Sequence, residues 1–229
     1  MSRLFVVRHG QASFGESDYD RLSPLGESQS RRYGEYWAER RAKFDRVFVG
    51  PRRRHWQTHD LAAAAYQERG LNWPVPIELP GLDEYCGLDV MARSLPGLIE
   101  EGIVVEEMLA TPAAFGKVFK RVTRSWVRGE VEMPGLESWQ DFRVRVGAAL
   151  ERMTRGVEAG QRIVAFTSAG AVAATTACAL DLSDERTLEL SWIVLNTGHA
   201  EFRLLDGRLD LMAFNPIPHL TSPDHVSDL

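Results

Sequence analysis

The amino-acid sequence predicts an α/β fold: a three-layer sandwich with a mostly parallel central sheet and helices on both faces of that sheet. Two observations support this prediction. Short apolar runs, of the kind that form buried strands, alternate along the chain with longer segments of helical spacing. The 229 residues also contain no internal repeat or low-complexity linker that would divide them. Residues 1–229 are therefore predicted to form a single domain, with a helical cap or insertion at about residues 95–133.

The first part of the chain supplies two strands and two helices. Arg3–Val7 and Arg46–Val49 are short apolar runs typical of buried strands. A helix follows the first strand, because Ser23 can cap its N-terminus and Pro24 suits its first position. A second helix is predicted over Arg53–Glu68, where a run of alanines favours helix formation. This order of elements is typical of a parallel sheet covered by helices.

The rest of the chain continues the alternation and ends in a hairpin. Asp206-Gly207 separates two apolar runs, and this dipeptide is a strong signal for a two-residue turn. Nearby prolines make residues 77–79 a candidate edge strand. The other predicted segments are a mostly helical stretch over residues 94–129, a helix over Trp139–Arg155, a buried strand at Ile163–Thr167, an alanine-rich helix over Gly170–Leu180, a strand-like run at Trp192–Leu195, and hairpin strands at Glu201–Leu205 and Leu209–Phe214.

The charge balance restricts the classes of partner. The chain has 27 Lys and Arg residues against 32 Asp and Glu residues, which gives a net charge of -5 and a pI near 5.7. A chain of this charge has no general attraction for nucleic acid or for an anionic membrane. Arg52, Arg53 and Arg54 therefore form a local basic cluster, which indicates a small anion rather than a polyanion as the ligand.

The sequence also gives an expectation for the compartment. Cys86 and Cys178 are too few for a disulfide framework, so both are expected to be buried free thiols in a reducing cytosol. No charged and apolar leader opens the sequence, and the most apolar helical stretch, Ala169–Leu180, is too short to span a bilayer. We therefore expect a soluble, cytoplasmic protein, whose oligomeric state the sequence leaves open.

Reactive side chains follow two of the predicted strands. Arg8, His9 and Gly10 lie at the end of the first strand, and Thr167–Gly170 lies at the end of the buried strand Ile163–Thr167, which we take to be its neighbour in the sheet. Ligands of open α/β sheets bind beyond the carboxyl ends of the strands, so both turns would then face one crevice. A neutral imidazole can attack phosphorus, and an adjacent guanidinium matches phosphate oxygens. Glycine leaves room for a phosphate beside the backbone. This crevice is therefore predicted to bind phosphate.

Seven stretches extend this interpretation through nearly the whole chain. In order they read LFVVRHGQ, LSPLGESQSRRYG, GPRRRHWQTHDLA, LDEYCG, PGLESWQDFRVRV, IVAFTSAGAVAA and FNPIPHL. Together they resemble the histidine phosphatase superfamily, also called the phosphoglycerate mutase-like family. The resemblance implies the phosphoglycerate mutase-like fold and a phosphatase that works through a phosphohistidine intermediate, without a metal or another cofactor.

The resemblance also implies roles for individual residues. His9 would be the phosphorylated nucleophile. Arg8 would hold the phosphate, and so would Arg54, because RHWQT fits the family pattern R-A-x-Q-T. Glu84 in LDE would be the general acid that protonates the leaving oxygen, and afterwards the base that activates water. The predicted catalytic residues are thus Arg8, His9, Arg54 and Glu84, and the predicted phosphate-binding residues are Arg8, Gly10, Gln11, Ser13, Arg54 and Ser168.

Ser168 departs from the family pattern. The family has V-S-H-G at the end of this strand, where a second histidine bonds the transferring phosphoryl group, whereas this chain has F-T-S-A-G, so Ser168 occupies the place of that histidine. A hydroxyl can donate a hydrogen bond to phosphate but carries no positive charge, and positioned acid–base groups contribute roughly 10²–10⁴ in rate. His199 and His219 are other candidates for the missing imidazole. We expect instead that His199 is a turn residue and that His219 anchors the C-terminal segment.

Three functions remain open from the sequence. A phosphomonoester hydrolase acting on an unidentified small phosphorylated substrate is favoured, because nucleophile, cations and acid are all retained. A weakly active or inactive phospho-ligand binding or scaffold protein is supported by Ser168. A phosphoglycerate mutase-type phosphotransferase is the third. Each would bind a small phosphorylated substrate or inorganic phosphate, and none would bind nucleic acid or a membrane.

Two further features bear on metal binding and on substrate choice. His55 and His59 lie four residues apart on a predicted helix, but the glutamate of the H-E-x-x-H zinc motif is missing, so no metal site is predicted. Basic residues make the predicted cap positive, either as a solvated helix face or as an anion-binding lid. These residues are Lys117, Lys120, Arg121, Arg124 and Arg128.

Overall fold

A computed structural model describes residues 1–13, 18, 20–205 and 207–228. This part of the chain contains six strands and eight α-helices. The strands are β1 (Ser2–Arg8), β2 (Arg46–Val49), β3 (Pro76–Glu78), β4 (Arg162–Thr167), β5 (His199–Leu205) and β6 (Arg208–Phe214). The helices are α1 (Pro24–Glu39), α2 (Arg53–Gln67), α3 (Gly87–Glu100), α4 (Val105–Leu109), α5 (Pro112–Val127), α6 (Trp139–Thr154), α7 (Ala169–Leu180) and α8 (Asp184–Ser191).

The described strands form one sheet in the order β3-β2-β4-β1-β5-β6. β3, β2, β4 and β1 run parallel, whereas β5 and β6 are each antiparallel to the strand before them in the sheet. The predicted α/β fold with a mostly parallel sheet is confirmed, and the proline-rich strand lies at an edge as expected. β1 and β4 are neighbours, with Arg8 paired to Thr167. The turns after these two strands therefore meet at one edge of the sheet.

Alternating side chains of β4 show how the two faces of the sheet are covered. Ile163 and Ala165 belong to one buried cluster, which α6 and α7 close. Val164 and Phe166 belong to another cluster on the opposite face, which α1 and α2 close. Because both faces are buried, the central strands are nearly continuous apolar runs. The result is a sandwich of helices, sheet and helices.

The segment predicted to be a helical cap contains the end of α3 together with α4 and α5. Helix α3 begins at Gly87, earlier than the predicted cap. A third apolar cluster joins these helices to α6, α7 and α8, and it includes Val90, Met108, Val122, Trp126, Phe142 and Leu188. None of the described helices is long and apolar enough to cross a membrane.

Local sequence signals fix two of the element boundaries. The Ser23 hydroxyl accepts a hydrogen bond of 3.1 Å from the Gly26 backbone N–H, and Pro24 is the first residue of α1, as predicted. The predicted hairpin is also present, since β5 pairs antiparallel with β6 up to Leu205 and Arg208. Its turn was predicted at Asp206-Gly207; Asp206 lies outside the described residues, and Gly207 has a φ of +76°.

Predictions for the segment before β5 need correction. Trp192–Leu195 is not a strand, because Trp192 follows the last turn of α8 and the remaining residues form a turn and a loop. A run of four apolar residues cannot be assigned by periodicity alone. His199 is not a turn residue but the buried first residue of β5. The prediction for His219 agrees with the structure, since its Nε2 bonds the Thr197 hydroxyl at 2.7 Å.

The two cysteines are free thiols, as predicted, but they are not buried. Cys86 is half-buried and Cys178 is exposed. Cys178 is in the last turn of α7, where the helix leaves the core.

Candidate active site

Five of the predicted site residues gather where β1 and β4 end: Arg8, His9, Arg54, Glu84 and Ser168. These are called the crevice residues below. The His9 backbone N–H donates to the Thr167 carbonyl at 2.8 Å, which joins the two strand ends directly. Ser168 follows Thr167 and caps α7. The two turns are therefore adjacent, as the expectation of a shared crevice requires.

Hydrogen bonds fix the protonation of the His9 ring. The Nδ1 atom lies 2.7 Å from the Gly10 carbonyl oxygen, which can only accept, so Nδ1 carries the proton. The Nε2 atom accepts a hydrogen bond of 3.0 Å from the Arg54 Nε–H. Burial, together with the charges of Arg54 and Arg8, holds the pKa of His9 well below its usual value. His9 is thus a neutral imidazole whose Nε2 lone pair faces a cation.

Arg54 connects the nucleophile candidate with the end of β4. It lies in the first turn of α2 and is only 4% exposed. Besides its contact with His9, its Nη1 pairs with the Asp20 carboxylate at 2.6 Å and its Nη2 lies 3.4 Å from the Ser168 hydroxyl. Thr58 on the next turn donates to the Arg54 carbonyl at 2.7 Å. One guanidinium therefore touches both sides of the crevice.

Arg8 is held by two carbonyl groups from the C-terminal part of the chain. Its Nη1 donates to the Val194 carbonyl and, at 3.0 Å, to the Asp228 carbonyl. The positive charge of Arg8 contributes to lowering the pKa of His9 and opposes the rise in the pKa of Glu84. Arg8 therefore acts on the same crevice as Arg54.

Glu84 reaches the N-terminus of α7 from a loop after the 3-10 turn Pro80–Leu82. Its Oε2 accepts a hydrogen bond of 3.2 Å from the Gly170 N–H, and its Oε1 accepts one of 3.0 Å from the Tyr85 N–H. A Cβ at Gly170 would collide with Oε1, so this approach needs glycine. Burial raises the pKa of Glu84, although the Gly170 hydrogen bond and the nearby Arg54 charge act in the opposite direction.

Arg145 supports the Glu84 loop and was not recognised from the sequence. It extends from α6 and donates to the carbonyl groups of Gly81, Asp83 and Glu84 at 3.1, 2.8 and 2.9 Å. Glu137 accepts two further hydrogen bonds from the same guanidinium. Arg145 lies within PGLESWQDFRVRV, but only the folded loop shows that three carbonyl groups of residues 81–84 converge on it.

Packing requires glycine at position 10, whose predicted role in phosphate binding stays a prediction. A Cβ on Gly10 would collide with the Gly26 carbonyl and the Ser30 hydroxyl of α1. Its backbone N–H donates to the Thr58 hydroxyl at 3.0 Å. The glycine therefore lets the turn after β1 pass close to α1, a physical reason different from the one the sequence indicated.

Gln11 and Ser13 bond to the segment that leads into α1. The side-chain oxygen of Gln11 accepts a hydrogen bond of 2.8 Å from the Ser23 hydroxyl. The Ser13 hydroxyl donates to the Leu22 carbonyl at 3.3 Å. In the described contacts, neither side chain joins the five crevice residues. Their predicted role in phosphate binding stays a prediction.

His55 is the crevice neighbour that the sequence reasoning missed. Its Nε2 atom lies 2.6 Å from the Ser168 hydroxyl, and its ring centroid lies 5.8 Å from that of His9. Burial and the charges of Arg54 and Arg52 hold the pKa of His55 well below its usual value, although the Gly50 backbone acts in the opposite direction, so the ring is neutral. The available signal was the histidine of RHWQT, which stands where the family pattern has alanine.

His59, one helical turn further along α2, has a different environment. Its Nε2 accepts a hydrogen bond of 3.0 Å from the Trp73 indole N–H, and its Nδ1 contacts the Asp60 carboxylate at 2.8 Å. Across the described ranges of the chain, no group of three or more His, Cys, Asp and Glu side chains is placed to hold a metal ion.

The protein is thus an α/β sandwich in which a histidine, two arginines and a carboxyl group lie beyond the ends of two parallel strands. Residues 4–216 match the sequence model of the histidine phosphatase superfamily (branch 1), and the chain belongs to this superfamily. No curated protein sequence matched the chain significantly.

Solved structures show the same fold. A phosphoserine phosphatase from Entamoeba histolytica in complex with 3-phosphoglyceric acid is 17% identical, with a TM-score of 0.63 over 96% of this chain and 100% of that one. The alpha-ribazole phosphatase from Shigella flexneri is 16% identical, with a TM-score of 0.61 over 94% and 96%. A mycobacterial glucosyl-3-phosphoglycerate phosphatase is 19% identical, with a TM-score of 0.60 over 93% and 98%. At these identities the similarity shows the fold alone.

Proposed function

We propose that the protein is a cytoplasmic, metal-independent phosphomonoester hydrolase that acts through a phosphohistidine at His9 on a small phosphorylated substrate. The contact between Arg54 Nε and His9 Nε2, at 3.0 Å, carries this proposal. It places the lone pair of a neutral imidazole beside a buried cation, which is where a nucleophile for an anionic phosphoryl group must lie.

The first half of the reaction transfers the phosphoryl group to the enzyme. A substrate phosphate takes the place of the Arg54 Nε–H at His9 Nε2, so that the guanidinium donates to phosphate oxygens instead. Nε2 forms a bond to phosphorus while the bond from phosphorus to the ester oxygen breaks. Glu84 gives its proton to the departing oxygen, which leaves as an alcohol. The raised pKa of Glu84 favours the protonated form that this step needs.

The second half releases inorganic phosphate. The Glu84 carboxylate takes a proton from water as the water oxygen attacks phosphorus. The bond between phosphorus and His9 Nε2 breaks, which restores the neutral ring, because the Gly10 carbonyl keeps the other proton on Nδ1. Arg8 and Arg54 neutralise charge on the transferring group in both halves.

The substrate class is proposed from the charge of the site and from the similarity to solved phosphatase structures. A neutral substrate would gain nothing from two buried guanidinium groups, whereas a phosphate monoester gains charge neutralisation. The structural relatives described above are named as phosphatases of small phosphorylated molecules, which supports the same class here. We expect slow but measurable hydrolysis of aryl phosphates near or below neutral pH.

A panel of phosphate esters tests the proposal. The purified protein is assayed for released phosphate on aryl, sugar, glycerate and amino-acid phosphates, with and without a chelator. We expect turnover that chelation leaves unchanged. Loss of turnover on chelation would contradict metal independence, and a wholly silent panel with measurable binding of inorganic phosphate would favour the phospho-ligand binding protein, the alternative that Ser168 supports.

A further inference from the structure

An imidazole approaches the end of β4 from a direction that the family pattern does not use. Ser168 stands where the family resemblance expects the second histidine, and it is fully buried. The His55 Nε2 atom lies 2.6 Å from its hydroxyl oxygen. His55 comes from α2, one residue after Arg54, whereas Ser168 precedes α7. The crevice therefore retains a second imidazole, but one that reaches it through a hydroxyl.

The backbone beside His55 is shaped for this ring. A Cβ on Gly50, the residue after β2, would collide with the His55 Nδ1 atom, so only glycine leaves the space that the ring fills. The Gly50 backbone lies near enough to His55 to oppose the fall in its pKa, but Nδ1 makes no hydrogen bond of good geometry to it. In the Nε2–H tautomer, Nδ1 is an under-satisfied acceptor, which is commoner in buried sites than a buried N–H without a well-aligned partner. His55 then donates to Ser168.

Counting the hydrogen bonds of Ser168 shows what its own proton can do. Its oxygen has two lone pairs, and both face donors: the His55 Nε2–H at 2.6 Å and Arg54 Nη2 at 3.4 Å. The hydroxyl hydrogen is left for a third partner. Arg54 also touches His9 Nε2, so a phosphoryl group on His9 comes within reach of this hydroxyl.

We propose that His55 is a positioning residue for phosphoryl transfer: its Nε2–H holds the Ser168 oxygen so that the Ser168 hydroxyl donates to an oxygen of the phosphoryl group on His9. This inference rests on the proposed function. In it, His55 and Ser168 together supply the donor that a single histidine supplies elsewhere in the superfamily. His55 stays neutral throughout and exchanges no proton with the substrate.

A double-mutant cycle tests the coupling. Ser168→Ala removes the donor, and we expect kcat to fall about 10²-fold, as for the loss of one preorganised donor. His55→Leu keeps a buried side chain of similar size, and we expect roughly a tenfold fall in kcat with a smaller change in KM. The variant with both changes should match Ser168→Ala, because His55 acts only through that hydroxyl. If the fall in kcat of the double variant equals the product of the two single falls, or if His55→Leu leaves kcat unchanged, the proposal is overturned.

Two matched variants separate positioning from folding. His55→Gln keeps an N–H near the original Nε2 and should recover most of the lost kcat. His59→Gln changes the histidine one turn further along α2, which contacts Trp73 rather than the crevice, and should leave kcat unchanged. If His55→Gln is as impaired as His55→Leu while both remain folded, the donor role is contradicted.

The state of the His55 ring is accessible without turnover. Nitrogen-15 NMR of the wild-type protein should show the Nε2–H form, and its signal should shift when inorganic phosphate binds. The Nδ1–H form would overturn the inference. If the ester panel shows no turnover, the proposed function fails on its own, whereas the affinities of wild type, Ser168→Ala and His55→Leu for inorganic phosphate still decide the role of His55.

Discussion

The arginines of the crevice and those of the cap differ in burial. In the crevice, Arg54 is 4% exposed and contacts a neutral histidine and a serine hydroxyl besides its pair with the Asp20 carboxylate. In the cap, the Arg121 side chain is 52% exposed and pairs with the Glu101 carboxylate. A charge in water is screened and compensated, whereas a buried one acts strongly on its neighbours. The difference shows that burial, rather than the number of basic residues, marks the functional site.

The same contrast bears on the two interpretations of the basic cap. Three of its five basic residues, Arg121, Arg124 and Arg128, pair with carboxylates, those of Glu101, Glu189 and Glu185. Lys120 lies over the Trp192 ring, with 5.2 Å between the Nζ atom and the ring centroid. These pairs favour the solvated helix face over the anion-binding lid.

Replacing Arg54 with alanine should cause the largest loss of activity. The change removes the cation at the nucleophile and the donor to Ser168, so kcat/KM should fall on the order of 10³-fold or more. Steady-state kinetics with an aryl phosphate measure the effect, and circular dichroism checks the fold. Arg121→Ala is the matched control and should leave kcat/KM unchanged. Similar losses in both variants would remove the distinction between crevice and cap.

Replacing Glu84 with glutamine should have the next largest effect, and its size should depend on the leaving group. An alkyl phosphate needs a proton on the departing oxygen, so kcat/KM, which reports phosphoryl transfer to His9, should fall roughly 10²–10⁴-fold. An aryl phosphate with an acidic phenol needs little help and should lose far less. The comparison is made by measuring released phosphate with both esters. Equal losses on the two esters would contradict the general-acid role.

The pH dependence of kcat/KM should follow from His9 and Glu84, whose pKa values are both shifted. The lowered pKa of His9 keeps its ring neutral below the usual histidine range, so kcat/KM should persist into mildly acidic solution and fall only below that lowered pKa. The raised pKa of Glu84 sets the other limit, because activity is lost as rising pH removes its proton. A pH series with an alkyl phosphate measures both limbs, and Glu84→Gln should abolish the alkaline one. An alkaline limb that survives in this variant would assign it to another group.

Arg121→Ala should have the smallest effect. Its ion pair with Glu101 is exposed, and exposed pairs contribute about 0–1 kcal/mol to the free energy of unfolding. Chemical denaturation should therefore show little change, and the small change should shrink further at high salt. A large loss of activity with intact stability would instead revive the anion-binding lid.

Local signals predicted much of the fold. The Ser23 cap and the proline after it set the start of α1, and the apolar run at Arg46–Val49 gave the bounds of β2. The strand predicted at Trp192–Leu195 was wrong, because a run of four apolar residues is compatible with a strand and with a loop. The sheet order, which places β1 beside β4, depends on contacts between residues far apart in the sequence.

The site was predictable where motifs carried it and not where it depends on tertiary contact. His9, Arg54 and Glu84 were found from strand ends and family resemblance. His55 and Ser168 are separated by more than one hundred residues, and only the pairing of β2 with β4 brings them together. Arg145 was missed for the same reason, since its partners are backbone carbonyl groups of a distant loop.

Direct detection of a phosphorylated enzyme tests the central claim. The protein is mixed with an aryl phosphate, quenched in alkali within milliseconds and digested, and the peptides are examined by mass spectrometry. We predict one phosphoryl group on His9, bonded through Nε2, and none in His9→Ala, which should also release no phosphate. A phosphoryl group on another residue, or phosphate release by His9→Ala at the wild-type rate, would contradict the account.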